Sequence, residues 1–204
     1  MTGFPILLAT RSAGKLAELK PLFAEAGFNV MDLDALGMEE DADEAGLEQF
    51  ETFEENALAK ARWFYETSGG ITTVADDSGL EVLALGGRPG VRSKRWSGRD
   101  DLDGPALDAE NNALLVRSLE ERGDRRARYV CVAAYVGLGR ELVERGECEG
   151  RIVTPPRGTN GFGYDPFFES IETGRTFGEM SRAEKQALSH RGRAFRALVA
   201  SLRG

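Results

Sequence analysis

Residues 4–33, "FPILLATRSAGKLAELKPLFAEAGFNVMDL", constrain the fold more than any other stretch. "FPILLAT" (4–10) is an apolar run of strand length. It passes directly into a segment where Leu16, Leu19, Phe23 and Ala26 recur at helical spacing and Gly27 supplies the stop. Pro21 interrupts that segment, which predicts a kink or a restart. "FNVMDL" (28–33) reads as a second strand. A strand–helix–strand unit favours two parallel strands joined by a crossover, so the class is α/β.

The later segments fit that class. "TFEENALAKARWFYETSGG" opens with Thr52 and Glu55 as a capping box and carries an apolar stripe of Ala57, Ala61, Phe64 and Tyr65. "ITTVA" (71–75) reads as a strand and "GLEVLAL" (79–85) as its hairpin partner. "GGRPGVRSKRWSG" (86–98) is a glycine-rich basic loop. A helix near 105–122 precedes two alternating strands, "ARYVCVAAYVGL" and "LVERGECEGRI". After the glycine-rich, aromatic loop "RGTNGFGYDPFF" (157–168), a closing helix starts at a Ser181–Glu184 capping box. Leu188, Phe195, Leu198 and Leu202 form its apolar face. With no internal repeat and no linker, the 204 residues make one domain, or one domain with two lobes.

A net charge of −8 counts against nucleic acid as a partner, which would need a basic face. It leaves room for a small polyanion held by a local basic cluster or a metal. His190 is the single histidine, so a histidine-rich zinc site is ruled out. Carboxylates would have to hold any metal, which favours a hard ion such as Mg²⁺. Cys131 and Cys148 sit in strand-like runs without C-x-x-C spacing and read as buried, reduced thiols, consistent with a cytoplasmic protein. No run is long enough to span a membrane, and "MTGFPILLATRSAGK" lacks the pattern of a signal peptide.

Several stretches could carry chemistry, and each has a plainer reading. "LATRSAGK" places a strand-to-helix turn where amide groups and the helix dipole favour phosphate, with Lys15 as an added charge. It is not a Walker A motif, because Ala9 and Leu16 stand at the glycine and Ser/Thr positions. The plain reading is an ordinary α/β turn with Lys15 solvated. Asp76 and Asp77 follow an apolar run, and on an extended strand their side chains face opposite ways. One could hold Mg²⁺ or water while the other supports it; otherwise the pair caps an Asx-type turn before Ser78-Gly79. Phe162 and Tyr164 offer two faces for stacking on a base, or are core aromatics. Lys185, Ser189, His190 and Arg191 fall within two turns and form either a ligand wall or a solvated face. Arg92, Lys94, Arg95 and Trp96 suit a phosphate contact or a dimer edge equally. Residues 39–55 hold nine carboxylates and no basic residue, a solvated acidic loop. Taken together, these groups supply what a magnesium–nucleoside triphosphate needs.

Four ordered blocks, "TRSAGK", "TFEENALAKA" with "ADDSGL", "GTNGFGYDPFF" and "TFGEMSRAEKQALSHRGRAF", make the chain resemble the inosine/xanthosine triphosphate pyrophosphatase family from Leu7 to Leu202. The resemblance implies an α/β protein with a long central mixed sheet and flanking helices. Residues 1–204 would form one two-lobed domain around a substrate cleft, assembled as a homodimer. It also implies Mg²⁺-dependent hydrolysis of ITP, dITP and XTP to monophosphate and pyrophosphate, by water attack on the α-phosphorus. Thr10, Arg11, Ser12, Ala13, Gly14 and Lys15 would hold the triphosphate. Asp77 would be general base and metal ligand, supported by Asp76, and Ser78 would touch substrate. Phe162, Gly163, Tyr164 and Asp165 would line the nucleoside side, with Lys185, His190 and Arg191 opposite and Arg191 and His190 answering the purine oxygen. Ser12 replaces the asparagine of the family pattern. The acidic stretch is longer than the pattern, so the second metal-binding glutamate is Glu48 by distance from Thr52-Phe53, or Glu44 if the extra residues lie after it. Without metal, two neighbouring carboxylates are expected to push one pKa up.

Overall fold

The computed structural model describes residues 5–203. Strand β1 (Ile6–Leu8) lies between β2 (Val30–Asp32) and β3 (Thr73–Val82) and runs parallel to both, pairing Ile6 with Val30 and Leu7 with Thr73. Helix α1 (Ala13–Glu25) is the crossover, so the opening unit has the expected form. Phe4, part of the expected first strand, lies outside the described residues. The restart expected at Pro21 does not occur. The helix runs through it to Glu25, with Leu19, Leu22 and Phe23 buried on either side offsetting one missing hydrogen bond.

Strands β4 (Arg126–Gly137) and β5 (Arg140–Ile152) are joined by Leu138 and Gly139, whose positive φ angles of 51° and 74° suit a two-residue hairpin turn. Strand β6 (Phe168–Ser170) pairs antiparallel with β5. The sheet order β2-β1-β3-β4-β5-β6 is therefore mixed, and helices α2 (Phe53–Thr67) and α3 (Gly104–Leu119) are among those that complete an α/β fold.

The hairpin expected at 71–85 is absent. Residues 73–82 form one strand, with the two aspartates, Ser78 and Gly79 extended within it. Gly79 serves close approach instead of a turn: a Cβ there would sit 2.2 Å from the Gly90 carbonyl oxygen and 2.5 Å from Ser93 Oγ. Ser93 Oγ accepts a hydrogen bond from Leu80 N at 2.8 Å, which pins the strand to that loop. The closing helix is also two helices. After the Ser181–Glu184 capping box, α4 (Arg182–Leu188) ends at Ser189, whose extended backbone redirects the chain into α5 (His190–Arg203).

The chain divides into two compact units, with boundaries inside β3, between Asp77 and Ser78, and inside β4 and β5. The first unit takes the chain up to Asp77, Cys131–Gly146 and the chain from Arg191 onward. Its core contains Ile6, Leu8, Phe23, Tyr135, Phe195 and Leu198. The second unit, Ser78–Val130 with Glu147–His190, has a core that includes Leu80, Leu115, Leu119, Tyr129, Phe168 and Phe177. Cys131 belongs to the first core and Cys148 to the second, and both are buried free thiols. Among the described residues, no helix is long and apolar enough to cross a membrane.

Candidate active site

In the first unit, β3 places Asp76 and Asp77 side by side in its buried stretch, and the alternation of a strand gives them different surroundings. Asp76 is 1% exposed. Its Oδ2 lies 3.0 Å from Lys15 Nζ and 3.4 Å from Arg191 Nε, while Oδ1 has no hydrogen-bond partner. Burial opposes the charge, yet Lys15, Arg191 and Lys60 together outweigh it and hold the Asp76 carboxyl well below the usual range. Asp77 accepts a hydrogen bond on Oδ2 from Asn56 Nδ2 at 2.9 Å. Burial, partly offset by Lys60 and Lys15, pushes its pKa up to about 6. One carboxyl of the pair is indeed raised, but the main cause is desolvation and not repulsion from its neighbour.

Ser12 caps α1, its Oγ accepting from Lys15 N at 3.3 Å, and Thr10 Oγ1 accepts from Ser12 N at 3.2 Å. The amides of Ala13 and Gly14 thus open a thirteen-residue helix whose first turn carries no acidic residue. Such an N-terminus suits an anion. Lys15 extends from this turn to Asp76. Arg11 does not join them: it makes a two-pronged pair with Glu44, at 2.6 and 3.2 Å, and donates to the carbonyls of Met38 and Glu39. Arg11 therefore clamps the acidic segment, and Glu44 is its counter-ion.

Glu18, Asn56 and Lys60 enter this cluster without having been singled out in the sequence. Glu18 pairs with Arg191 Nη1 at 2.5 Å. Asn56 holds Asp77 and also bonds the backbone N–H and carbonyl of Phe50. The Lys60 ammonium bonds Glu48 and the Asp76 carbonyl oxygen, the latter at 3.0 Å. A usable signal was there. Phe53, Asn56, Ala57, Lys60, Ala61 and Phe64 share the buried face of α2, so an amide and an ammonium interrupt an apolar stripe. The α2 cap itself is as expected in part: Thr52 Oγ1 accepts from Glu55 N at 3.2 Å and donates to the Glu55 carboxylate.

Among the described residues no group of three or more His, Cys, Asp and Glu side chains could by itself hold a metal ion. The nearest donor set is Asp77 with Glu48, both oxygen ligands, and Glu48 is close enough to raise the Asp77 pKa. A cation already stands at Glu48 in the form of the Lys60 ammonium. The chemistry of these donors fits a hard ion that brings further oxygen ligands of its own.

In the second unit, Asp165 organises the loop 158–167. Its Oδ2 lies 2.6 Å from Lys185 Nζ and accepts from Phe162 N at 2.9 Å. Gly161 has φ of +79°, and a Cβ there would fall 2.0 Å from that same oxygen, so this position tolerates only glycine. Lys185 is buried, with its ammonium 4.7 Å from the centre of the Phe162 ring. Asp108 and Asn112 of α3 hold Gly163 by its N–H and its carbonyl. Phe162 is 36% exposed. The expectation of a second stacking face at Tyr164 needs correction: its ring lies in the core, and its hydroxyl donates to the Ser93 carbonyl at 2.8 Å. The buried His190 ring stacks on Tyr129 at 4.5 Å. Arg191, next in the chain, belongs to the first unit and its Asp76–Glu18 network. Ser78 follows Asp77 on β3, half-buried.

The chain is similar along nearly its whole length to proteins already known. A curated relative from Mycolicibacterium paratuberculosis, a dITP/XTP pyrophosphatase, is 48% identical over 97% of this chain and 95% of its own length. One of the same name from Nitratidesulfovibrio vulgaris is 48% identical over 98% and 96%. Among solved structures, the Ham1 protein of Staphylococcus aureus superposes with a TM-score of 0.82 at 35% identity, covering 98% of both chains. The nucleoside-triphosphatase / dITP/XTP pyrophosphatase of Mycobacterium abscessus gives 0.71 at 43% identity, over 95% of this chain and 98% of that one. The sequence pattern of the Ham1 family spans residues 6–201, and with near-half identity to curated members along almost its whole length, this chain belongs to the Ham1 family.

Proposed function

We propose that this protein hydrolyses the triphosphates of inosine, deoxyinosine and xanthosine to the monophosphate and pyrophosphate, with Mg²⁺ as cofactor, and so removes deaminated purines from the nucleotide pool. The observation that carries the reading is the divided environment of adjacent carboxyls. Asp76 is a fixed anion tied to Lys15 and Arg191, whereas Asp77 is a buried carboxyl with a pKa near neutrality, at about 6. Without metal, a carboxyl of that strength is a better proton acceptor than an ordinary aspartate, and a cation bound at it would draw the pKa back down. The names of the dITP/XTP pyrophosphatases it resembles support the substrate class.

In this reading the amides of Ala13 and Gly14, with Thr10, Ser12 and Lys15, bind the triphosphate at the head of α1. Asp77 and Glu48 hold the cation; Glu48 is preferred because it lies close enough to Asp77 to raise its pKa, whereas Glu44 is turned to Arg11. Bound there, Mg²⁺ would neutralise charge building on the phosphates and make the attacking water more acidic. Asn56 orients Asp77 for that water, and Ser78 adds a contact beside it. Phe162, Gly163 and Asp165 with Lys185 and His190 form the nucleoside side. The whole of 1–204 acts as one two-lobed catalytic domain, homodimeric and cytoplasmic, with no nucleic-acid or membrane partner.

The assay is direct. The protein is mixed with ITP, dITP, XTP, ATP and GTP, with and without Mg²⁺, and pyrophosphate and orthophosphate are measured separately. Pyrophosphate from the first three substrates, dependent on Mg²⁺, is the expected result. Orthophosphate with a diphosphate would make the protein a γ-phosphatase, and binding without release would make it a nucleotide sensor. Arg191→Ala refines the assignment. Loss of discrimination between ITP and ATP places Arg191 at the base, whereas an equal loss on both confines it to holding Asp76.

A further inference from the structure

The Lys60 ammonium occupies a place where a hard cation would be expected. Its side chain leaves the buried face of α2, and its Nζ is bonded to Glu48 and, at 3.0 Å, to the Asp76 carbonyl oxygen. Burial works to lower the Lys60 pKa, but Glu48, Asp76 and Asp77 outweigh it and keep the group protonated. An ammonium this deep requires anionic company. Glu48 in turn lies close enough to the buried Asp77 to raise its pKa, so a cation at Glu48 relieves repulsion between the two carboxylates. The two partners are unequally anchored. The Lys60 side chain is 11% exposed on a helix, while that of Glu48 is 44% exposed in the loop before it.

We propose that Lys60 is a resident counter-ion with which the cofactor cation must compete: in the metal-free protein it holds Glu48, and metal binding takes Glu48 away from it. This rests on the function proposed above and adds a built-in brake on metal binding without nucleotide. Lys15 provides an internal comparison. It carries the same charge and touches the same residue, with Nζ 3.0 Å from Asp76 Oδ2 and 3.4 Å from its carbonyl oxygen, but its contacts are to Asp76 and not to Glu48.

The test is a calorimetric Mg²⁺ titration of the nucleotide-free protein, as wild type, Lys60→Gln, Lys15→Gln, Glu48→Gln and Lys60→Gln/Glu48→Gln. If Lys60 engages Glu48 about nine-tenths of the time, Lys60→Gln tightens Mg²⁺ binding about tenfold. Lys15→Gln, which alters only the general field, should change it less than about threefold. The double variant should lose the gain, a coupling that a cycle reads directly. Equal effects of Lys60→Gln and Lys15→Gln, or a gain that survives Glu48→Gln, overturn the proposal. Should Lys60→Gln fail to fold, the wild type decides. A crystal with Mg²⁺ and a non-hydrolysable nucleotide must show Lys60 Nζ parted from Glu48, and retention of that hydrogen bond refutes exchange. Failure of the functional reading looks different: the wild type would then take up no Mg²⁺ with nucleotide and release no pyrophosphate.

Discussion

Asp77→Asn should make the metal-free protein more stable while it abolishes turnover. The Asp77 carboxyl is displaced from 3.8 to about 6, chiefly by burial. At about 1.4 kcal/mol for each pH unit, keeping it ionised costs about 3 kcal/mol. The sign follows from linkage. A carboxyl whose folded pKa lies above its unfolded value favours folding fully below about pH 4, and loses that contribution as pH rises through 6. Asparagine is neutral throughout, keeps the shape, and still accepts from Asn56 Nδ2. Above pH 7 the variant should therefore gain about 1–3 kcal/mol, the lower figure allowing for relaxation around the charge. For a chain of 204 residues that is a rise in Tm of roughly 3–10 °C. Calorimetric melts from pH 4 to 8 in chelator, with wild type alongside, measure it. The gap should close by pH 4–5, and pyrophosphate release by the variant should fall below about a tenth of wild type at all pH values. Melting curves that coincide at pH 8, or a gap unchanged on acidification, would refute burial as the cause of the raised pKa.

Three further outcomes follow from the same contacts. Asp76→Asn leaves Lys15 and Arg191 facing a neutral amide and should cost about 3–5 kcal/mol in urea unfolding at pH 7. Because the Asp76 pKa is depressed, the wild-type advantage is present above about pH 4 and fades only in stronger acid. Gly79→Ala drives a Cβ to 2.2 Å from a backbone carbonyl that cannot swing aside, so a loss of about 1–3 kcal/mol is expected by the same measurement. Tyr164→Phe leaves the Ser93 carbonyl without its phenolic donor and should cost about 1–2 kcal/mol with ITP preference unchanged, which separates its core role from a stacking role.

Much of this molecule is legible from local pattern. The parallel opening unit, the caps at Thr52 and Ser181, and the two buried free thiols all follow from periodicity and side-chain chemistry acting over a few residues. Misreadings occurred where a distant contact overrode a local preference. Ser78-Gly79 has the composition of a turn, yet a close approach to Gly90 and Ser93 keeps it extended. Tyr164 shares a loop with Phe162 but turns into the core, because its hydroxyl finds the Ser93 carbonyl.

By itself the sequence determined that two adjacent aspartates would follow an apolar run of strand length. Only the tertiary structure decided that they would differ, with one locked as an anion and the other left near neutral pH. The reason is physical. A carboxyl's proton affinity depends on how much water it loses and which charges come within a few ångströms, and here those charges are Lys15, Lys60 and Arg191, contributed by three different helices.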